Sequence, residues 1–142
     1  MKVEIRKANK YDLKKISNKM LSEFSKSPFN EKHSLKEVMK SLKFYFRIGE
    51  IFLIKKEEKI LGGIVFKIEE WWEGKVLIIE DLFGDSEKIN MELLNFVEEY
   101  AEKKSYEKIC FSTNKKSKGI KNYKKKGYKL EKNTIFMFKN LK

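Results

Sequence analysis

Residues 78–90 read Ile-Ile-Glu-Asp-Leu-Phe-Gly-Asp-Ser-Glu-Lys-Ile-Asn and hold an apolar segment, a short polar turn and the start of an amphipathic pattern. The apolar segment predicts a buried strand, and the spacing of the apolar residues that follow predicts a helix. A strand that leads directly into a helix N-terminus presents backbone N–H groups to an anionic ligand. Two carboxylates, Glu80 and Asp81, lie beside this opening. The stretch therefore predicts an anion-binding turn next to an acidic strand end.

The chain around this stretch has the composition of one folded domain. It has 142 residues, of which 41% are hydrophobic, and we expect a single domain over residues 1–142 because no Pro-rich or Ser/Gly-rich linker interrupts it. The N-terminus is too charged for a signal peptide, and no apolar run reaches the length of a membrane span. The single cysteine, Cys110, excludes an intramolecular disulfide. These features predict a cytoplasmic protein without a membrane partner.

The net charge of +12 comes almost entirely from lysine, since Arg6 and Arg47 are the only arginines. Such an excess attracts the phosphates of nucleic acid or of a nucleotide-like cofactor. It also arises from a compositional bias toward Lys, Glu and Ile, which enriches surface ion pairs. Specific nucleic-acid readers mostly use arginine, whose planar fork contacts a base edge with two hydrogen bonds. The compositional interpretation is favoured, and nucleic acid is the disfavoured partner.

The first third of the chain predicts one strand and two helices. Residues 3–8 alternate like a strand with one buried face. Asp12 is the predicted cap of the first helix. Ser34 and Glu37 fit a capping box that starts the second helix, which is predicted to end near Gly49.

The rest of the chain predicts a mixed α/β arrangement in which a strand precedes the longest helix. The predicted elements are strands at 51–54, 60–68 and 76–83, a helix from Ile89, a strand at 107–112, a basic helical segment at 115–126 and a last strand at 134–138. The first two of these strands should form a hairpin across a polar turn at 56–59. Gly62 and Gly63 within the second predict a bulge or a close backbone neighbour.

This order of elements, with three local sequences, resembles the GNAT superfamily of N-acetyltransferases over nearly the whole chain. Residues 120–128, Ile-Lys-Asn-Tyr-Lys-Lys-Lys-Gly-Tyr, are similar to the family's C-terminal signature, Y-x-x-x-G-F/Y. Residues 91–101 resemble its central helix, and residues 74–83 are similar to the subgroup of diamine and polyamine acetyltransferases. The resemblance implies the GNAT fold, an α/β fold with a mixed and mostly antiparallel sheet flanked by helices.

The resemblance also implies transfer of an acetyl group from acetyl-CoA to a primary amine of a small molecule by direct attack. In the family the fourth strand splays from the fifth, and its free backbone groups pair with the pantetheine arm of the cofactor. In this chain those groups would belong to Leu82, Phe83 and Gly84. The N-terminus of the helix that follows would contact the pyrophosphate, which places Ile89 among the expected cofactor residues.

The turn before that helix departs from the family pattern Q/R-x-x-G-x-G/A. The positions of the pattern fall on Asp85, Lys88 and Asn90, and none of them matches. Glycine lets the backbone approach a phosphate closely, and an acidic residue repels an anion. Lys88 and Asn90 are the expected cofactor contacts here, since lysine can compensate charge and Asn tolerates left-handed conformations. The helix dipole alone contributes only about 0.3–1 kcal/mol. We therefore expect a degenerate pyrophosphate site.

Three residues carry the chemistry that the resemblance implies. Tyr123 matches the tyrosine that protonates the departing thiolate in many members, and a phenol with a pKa of ~10 suits this role. Alternatively its ring only packs the short helix on the sheet. Glu80 is the expected base for the attacking ammonium, and Asp81 would attract the cationic amine. Because adjacent strand residues face opposite sides, at most one carboxylate is expected in the cleft. Each could instead pair with a lysine.

Other residues have a functional and a structural interpretation side by side. Asn114 resembles an asparagine that contacts CoA in much of the family, and it could equally cap the segment after it. The lysines of residues 115–126 would meet the 3′-phosphate of CoA, although a solvated lysine face is the more common arrangement. Trp72, with Trp71, could line the acceptor pocket, form a dimer contact or pack on its own hairpin.

No metal is expected, because His33 is the only histidine and has no other His or Cys near it in sequence. Cys110 is predicted to be a small buried hydrophobe. A homodimer is expected from the resemblance, in which dimers are frequent. Two further functions stay open: a GNAT-fold binding or regulatory protein that has lost catalysis, and a basic protein associated with nucleic acid.

Overall fold

A computed structural model of the protein describes residues 2–26 and 29–142. In chain order the elements are β1 (Glu4–Lys7), a 3-10 turn (Lys10–Asp12), α1 (Leu13–Phe24), α2 (Leu35–Ile48), β2 (Glu50–Lys56), β3 (Lys59–Trp71), β4 (Gly74–Gly84), α3 (Glu87–Lys103), β5 (Lys108–Phe111) and α4 (Ile120–Lys125). The strands form one five-stranded sheet in the order β1-β2-β3-β4-β5. All neighbours are antiparallel except β4 and β5, which are parallel. The expected mixed α/β fold is confirmed.

The core lies on both faces of this sheet, because the strand residues alternate between α3 on one side and α1 with α2 on the other. Between the sheet and α3 lie the fully buried Phe66 and Leu77 of the strands and Leu93 and Val97 of the helix. Between the sheet and the other two helices lie Leu53 and Val65 of the strands, Ile16 of α1 and Leu42 of α2. Full burial of such a side chain stabilises the fold by roughly 1.5–3 kcal/mol. Within the described ranges, no helix has the length and apolar character needed to cross a membrane.

Local signals in the sequence set several boundaries correctly. The Ser34 and Glu37 capping box forms, with the Ser34 hydroxyl accepting from the Glu37 N–H at 3.1 Å, and Gly49 ends α2. The hairpin of β2 and β3 also forms. Both predictions for Gly62 hold, since the β2–β3 register shifts beside it and a Cβ there would lie 2.3 Å from the Phe83 carbonyl oxygen.

The predicted cap of α1 is wrong. The side chain of Asp12 makes no capping hydrogen bond to α1. It accepts two hydrogen bonds from the Arg6 guanidinium, at 2.8 and 3.0 Å, and a third from the Asn9 N–H. β1 brings Arg6 to this position, so a charged partner outside the helix outcompetes the local cap.

The prediction of a last strand at residues 134–138 is also wrong. Residues 134–138 form no strand, and among the described residues no backbone–backbone hydrogen bond joins the segment 129–142 to the rest of the chain. The basic segment is helical only from Ile120, because Asn114 and Ser117 stabilise turns before it. Gly127 ends the helix with a φ of 97°, as expected for a glycine stop. The apolar pattern of residues 134–138 suits a strand, but a strand needs a partner.

Candidate active site

The site lies where β4 and β5 part. β4 pairs with β5 only from Val76 to Ile79, and β5 ends at Phe111. β4 continues to Gly84, and over residues 80–84 the described part of the chain pairs it with β3 alone. The expected splay is therefore confirmed, and it opens a cleft of about 890 Å³. The cleft is lined by the end of β4, the turn into α3, the loop after β5 and α4.

A β-bulge shapes the wall of this cleft. Val65 of β3 pairs with Asp81, and the next residue, Phe66, pairs with Ile79. Glu80 is thus an extra residue in β4, and such an insertion disrupts the alternation of side chains. Both Glu80 and Asp81 line the cleft. The expectation that at most one carboxylate points there assumed a regular strand, and β4 is irregular at this position.

Glu80 is held by a cation. Its Oε1 lies 2.9 Å from Lys67 Nζ on β3, and the same ammonium lies 3.3 Å from Glu69. The hydrogen bond to Glu80 raises the pKa of Lys67 above its usual value. Burial raises the pKa of Tyr45 on α2, and the charge of Glu80 adds to this effect. Glu80 is therefore an ion-paired carboxylate under α2.

Asp81 has a different environment. Burial raises its pKa to about 6, with further contributions from the negative charges of Glu80 and Glu31. No lysine, arginine or histidine of the described part of the chain forms an ion pair with it. A carboxylate with a pKa near 6 is mostly ionised at pH 7 and accepts a proton more readily than an ordinary aspartate.

The wall beside Asp81 is acidic although the protein is strongly basic. Glu23 and Glu31 from α1 and the loop after it line the same cleft. Glu23 is paired with Lys19 at 3.4 Å and with Lys26 at 3.2 Å. Glu23 is thus neutralised by two lysines, one of which, Lys26, also lines the cleft. Glu31 and Asp81 have no lysine or arginine partner among the described residues, and their negative charge favours a cation at this end of the cleft.

Tyr123 faces the cleft from α4. Its ring packs edge-on against Phe111, with 5.0 Å between the ring centroids. Burial raises the pKa of its phenol, and the charge of Glu87 raises it further. A Cβ at Gly119 would lie 2.9 Å from the Tyr123 hydroxyl, so a glycine is needed under it. The packing interpretation of Tyr123 is therefore confirmed, and Tyr123 also lines the cleft, while its role as a proton donor stays a prediction.

The two acidic residues at the turn into α3, Asp85 and Glu87, are each held by a partner from another helix. Asp85 forms an ion pair with Lys19. Ser86 is the N-cap of α3, and its hydroxyl accepts from the Ile89 N–H at 3.3 Å. The carboxylate of Glu87 accepts from the Asn122 amide on α4 at 3.1 Å. An anionic ligand at this helix N-terminus would thus lie beside two carboxylates.

The predicted cofactor residues divide into two groups. The residues that line the cleft are Leu82, Phe83, Gly84, Asn90, Asn114 and Tyr123. The buried Asn90 Oδ1 has no hydrogen-bond partner among the described residues, which marks it as a free acceptor. Lys88 is exposed away from the cleft, and Ile89 lies against the backbone of Gly84. The structure does not bring Lys88 and Ile89 into the site.

The loop after β5 gives Asn114 a structural task as well. Its Oδ1 accepts from the Lys116 N–H at 2.8 Å, so it stabilises the turn that leads to α4. Lys116 and Lys118 line the cleft beside it. These are the cations of the basic segment that could meet a phosphate.

Trp72 lies apart from the cleft. It occupies the β3–β4 turn at the opposite end of β4 from Gly84, and its side chain is fully exposed. Neighbouring Trp71 donates to Glu69 at 3.0 Å and lies under the Lys108 ammonium, which is hairpin packing. Cys110 is half-buried rather than buried as predicted, and this partial burial raises the pKa of its thiol.

Sequence reasoning missed residues that act on the site from other elements. Lys67 and Tyr45 set the environment of Glu80, and Glu31 adds to that of Asp81. Their contacts join residues far apart in the chain. Only the register of β3 against β4 would have revealed Lys67 in advance.

Solved structures match this architecture over its whole length, although no protein-family model and no curated protein matches the sequence. A structure described as a possible acetyltransferase from Clostridium difficile 630 superposes with a TM-score of 0.85, at 17% identity over 99% of both chains. The chain has the GNAT fold. AAC(6')-Iy, solved with the bisubstrate analog CoA-S-monomethyl-acetylneamine, shares this GNAT fold with a TM-score of 0.76, at 14% identity over 99% of both chains.

A third GNAT-fold match is the aminoglycoside acetyltransferase meta-AAC0020 from an uncultured soil metagenomic sample, solved in complex with trehalose. Its TM-score is 0.73 at 19% identity, over 99% of this chain and 97% of that one. At these identities the comparisons establish the GNAT fold and leave the chemistry to the residues of the cleft.

Proposed function

We propose that the protein is an acetyl-CoA-dependent N-acetyltransferase that acetylates a primary amine of a small cationic molecule. The supporting observation is the cleft between β4 and β5, which Asp81 and Tyr123 line together. One is a carboxylate with a raised pKa, and the other is a phenol held in its neutral form. The matched acetyltransferases, among them one solved with a CoA bisubstrate analog, add support from the shared fold.

The cleft fits the acyl donor in its central part. β4 residues 82–84 have no strand on the β5 side, so their backbone groups are available to the amides of the pantetheine arm. The free Asn90 Oδ1 adds an acceptor at the start of α3. Lys116 and Lys118 would face the phosphates, while Asp85 and Glu87 oppose them.

Starting from the ammonium, the nitrogen must lose two protons, and sulfur must gain one. Asp81 takes the first proton, and the neutral amine nitrogen then attacks the thioester carbonyl carbon. As the C–S bond breaks, Tyr123 donates its phenolic proton to the departing sulfur. The second proton of the nitrogen returns to the Tyr123 phenolate and Asp81 releases its proton to solvent, so the products are the acetamide, the CoA thiol and one proton. Most of the rate enhancement comes from holding amine and thioester in contact.

Asp81 replaces Glu80 as the proposed base. The resemblance favours Glu80, but Glu80 Oε1 is held 2.9 Å from Lys67 Nζ in an ion pair, whereas Asp81 has no such partner within the described residues. Glu80 instead adds negative charge beside Asp81. It contributes both to the raised pKa of Asp81 and to attraction of the amine.

The acidic wall supports an acceptor with more than one positive charge. Carboxylates of Glu31, Glu80 and Asp81 lie along one side of the cleft. A polyamine meets this description, and so does an aminoglycoside, the substrate class named for the matched protein meta-AAC0020. Of the two, we propose a polyamine, which the resemblance of residues 74–83 also favours.

The test has a binding and a turnover arm. Acetyl-CoA should raise the melting temperature by mass action, and the shift should exceed that of sulfate at equal ionic strength. Thiol release should then depend on an added amine, with spermidine, an aminoglycoside and an uncharged primary amine compared. No shift with millimolar acetyl-CoA in a folded sample contradicts the proposal.

A second candidate is a GNAT-fold binding protein without catalysis. The observation that favours it is the pair of carboxylates, Asp85 and Glu87, at the turn where a pyrophosphate would bind. Binding of a polyamine without any effect of acetyl-CoA would support this candidate. Salt-sensitive retention of DNA or RNA without a CoA effect would instead support a nucleic-acid role.

A further inference from the structure

The outer side of α2 carries a row of cations. Its members follow one another at intervals of four, three and four residues: Lys36, Lys40, Lys43 and Arg47. Because an α-helix brings residues three and four apart onto one side, these side chains form a single line. All four are exposed, and none of them forms an ion pair within the described residues. The one carboxylate of α2, Glu37, lies in the first turn, where it accepts from the Ser34 N–H at 3.0 Å.

Apolar side chains flank this row in the second half of the helix. Phe44 and Ile48 lie next to the row on one side, and Phe46 lies on the other side. Their exposed fractions are 46%, 50% and 39%, respectively. The Arg47 guanidinium lies 5.7 Å from the centroid of the Phe44 ring. Exposed cations and exposed apolar groups therefore form one continuous surface on α2.

The helices on the two sides of the sheet carry opposite charge. α1 and α2 together hold seven Lys and Arg residues and two carboxylates. α3, on the other side, holds five glutamates and two lysines. A compositional bias toward Lys and Glu would spread both signs over all three helices, so it does not account for this division. A negatively charged surface would be attracted to the α1 and α2 side and repelled by the α3 side.

We propose that the outer side of α2 binds the surface of an anionic phospholipid bilayer, with Phe44, Phe46 and Ile48 just below the headgroups. A bilayer offers phosphates and hydrocarbon at adjacent depths, which matches cations and apolar groups on one side of a helix. Lysine side chains are long enough to keep their ammonium groups at the headgroups while their stems lie along apolar surface. This proposal does not rest on acetyl transfer.

The surface of a bilayer makes no demand for a membrane span. The sequence prediction of no membrane partner is based on the lack of a spanning segment. A helix that lies on the bilayer surface needs none, because only one of its sides contacts lipid. The inner side of α2 remains in the core, where Leu42 is fully buried.

Nucleic acid matches this surface less well than lipid. Phosphates would satisfy the row of cations, but the aliphatic Ile48 cannot stack on a base. The row has a single arginine, Arg47, whereas the reading of base edges mostly uses arginine. The apolar groups therefore favour the bilayer.

Another exposed aromatic residue lies at the end of the sheet where α2 ends. The Ala8 N–H donates to the Ile51 carbonyl at 2.9 Å, which joins the turn before α1 to the strand after α2. In that turn Tyr11 is 80% exposed, and Lys10 Nζ lies 5.2 Å from its ring centroid. Tyrosine is enriched at membrane–water interfaces because its ring is apolar and its hydroxyl is polar. Tyr11 thus adds a second pair of cation and ring at this end of the molecule.

Co-sedimentation of the full chain with lipid vesicles tests the proposal. The protein should bind vesicles of equal parts phosphatidylcholine and phosphatidylserine, and it should not bind phosphatidylcholine alone. Rising salt should release it, because exposed charges are screened. No binding of the folded protein to the anionic vesicles would overturn the proposal.

Two double variants of α2 separate the contribution of charge from that of apolar contact. Lys40→Gln with Lys43→Gln removes two cations, each worth roughly fivefold at an anionic surface, so vesicle binding should fall roughly tenfold or more. Phe44→Ser with Ile48→Ser keeps every charge and should lower binding roughly tenfold. All four side chains are exposed, so circular dichroism should match the wild type. Unchanged binding with the second pair would contradict contact with hydrocarbon.

The basic helix α4 offers a charge-matched control. Lys121→Gln with Lys125→Gln removes two exposed cations from another part of the surface. Vesicle binding should fall by less than about threefold, because these lysines lie outside the proposed contact. A loss equal to that of the α2 cation pair would show attraction by net charge alone and would overturn the proposal.

An environment-sensitive fluorophore reports which side of the molecule faces the bilayer. In a Cys110→Ser background it is attached through Phe44→Cys on α2 or through Glu99→Cys on α3. Anionic vesicles should shift the emission to the blue for the label on α2 and leave it unchanged for the label on α3. Equal shifts at both positions would contradict this orientation. Retention of single-stranded RNA without vesicle binding, weakened by Lys40→Gln with Lys43→Gln, would assign the row to nucleic acid instead.

Discussion

Lys67 Nζ lies 2.9 Å from Glu80 Oε1, while the carboxylate next to it in the chain, Asp81, has no ion pair within the described residues. The bulge makes Glu80 an extra residue beside Asp81, and both residues line the cleft. Lys67 pairs with Glu80, whereas burial raises the pKa of Asp81. Two adjacent acids thus have different surroundings.

The first prediction concerns the pH dependence of turnover. If Asp81 is the base, turnover should rise about tenfold per pH unit below the pKa of about 6 and level off above it. Asp81→Asn should remove this limb and lower turnover about 100-fold. Initial rates from pH 5 to 8 measure both effects. Glu80→Gln is the comparison, and an equal loss in the two variants would contradict the assignment.

Asp81→Asn, which should lower turnover, should raise the stability of the fold at neutral pH. The pKa of Asp81 rises from 3.8 in the unfolded chain to about 6 in the fold, so the folded state holds the proton more tightly. Its ionisation therefore costs stability as pH rises from about 4 to 6, by about 2–3 kcal/mol at pH 7. Asp81→Asn should raise the free energy of unfolding at pH 7 and leave it nearly unchanged at pH 3.5, measured by urea denaturation. An equal effect at both pH values would show that the carboxylate is not destabilised by burial.

Asp12 should show the reverse pH dependence. The hydrogen bond from Arg6 is the main cause that lowers its pKa below 3.8. Its stabilising contribution is thus fully present above pH 4 and lost as pH falls through the lowered pKa. Asp12→Asn should lower the free energy of unfolding by about 1–2 kcal/mol at pH 7, and by less at pH 3. Glu4→Gln, an exposed change on the same strand, is the control.

Tyr123→Phe separates catalysis from binding. The substitution keeps the ring on Phe111 and removes only the hydroxyl, so turnover should fall about 100-fold. The dissociation constant of acetyl-CoA should change by less than about twofold, because the packing that shapes the cleft is preserved. Steady-state rates and calorimetry give the two values. Tyr106→Phe, outside the cleft, is the matched control, and an unchanged rate would remove Tyr123 as the acid.

Glu87→Gln should tighten acetyl-CoA binding. Glutamine keeps the acceptor for the Asn122 amide and removes a negative charge from the N-terminus of α3. A charge beside a helix N-terminus changes the binding free energy of an anion by about 0.3–1 kcal/mol, so the dissociation constant of acetyl-CoA should fall about two- to fivefold at low salt. Glu99→Gln, farther along the same helix, should have no effect. Looser binding with Glu87→Gln would show that this carboxylate contributes to the cofactor site.

Sequence patterns predicted what local chemistry determines. The capping box of Ser34 and the helix stop at Gly49 depend on neighbours a few residues away, and both formed as expected. The wrong predictions share a non-local cause. Asp12 found Arg6 on a strand, and residues 134–138 found no strand partner in the same chain.

The candidate site also combines features that the sequence predicts with features that depend on residues far apart in the chain. The positions of Glu80, Asp81 and Tyr123 on the cleft follow from the order of elements, which the sequence predicted. The inequality of the two carboxylates depends on Lys67 and on the bulge. Both require the register of β3 against β4, and periodicity within one strand does not contain that information.

The bulge at Glu80 also constrains how this gene can change length. Ile79 packs against α3, whereas Phe83, an even number of residues later, packs on the opposite face against α1 and α2. Removal of one residue from residues 80–82 would restore regular alternation and leave Phe83 in its present layer, at an odd separation from Ile79, but it would abolish the bulge at Glu80. The fold should therefore tolerate a one-residue deletion at this strand end, whereas the arrangement of Glu80 and Asp81 beside the cleft should not.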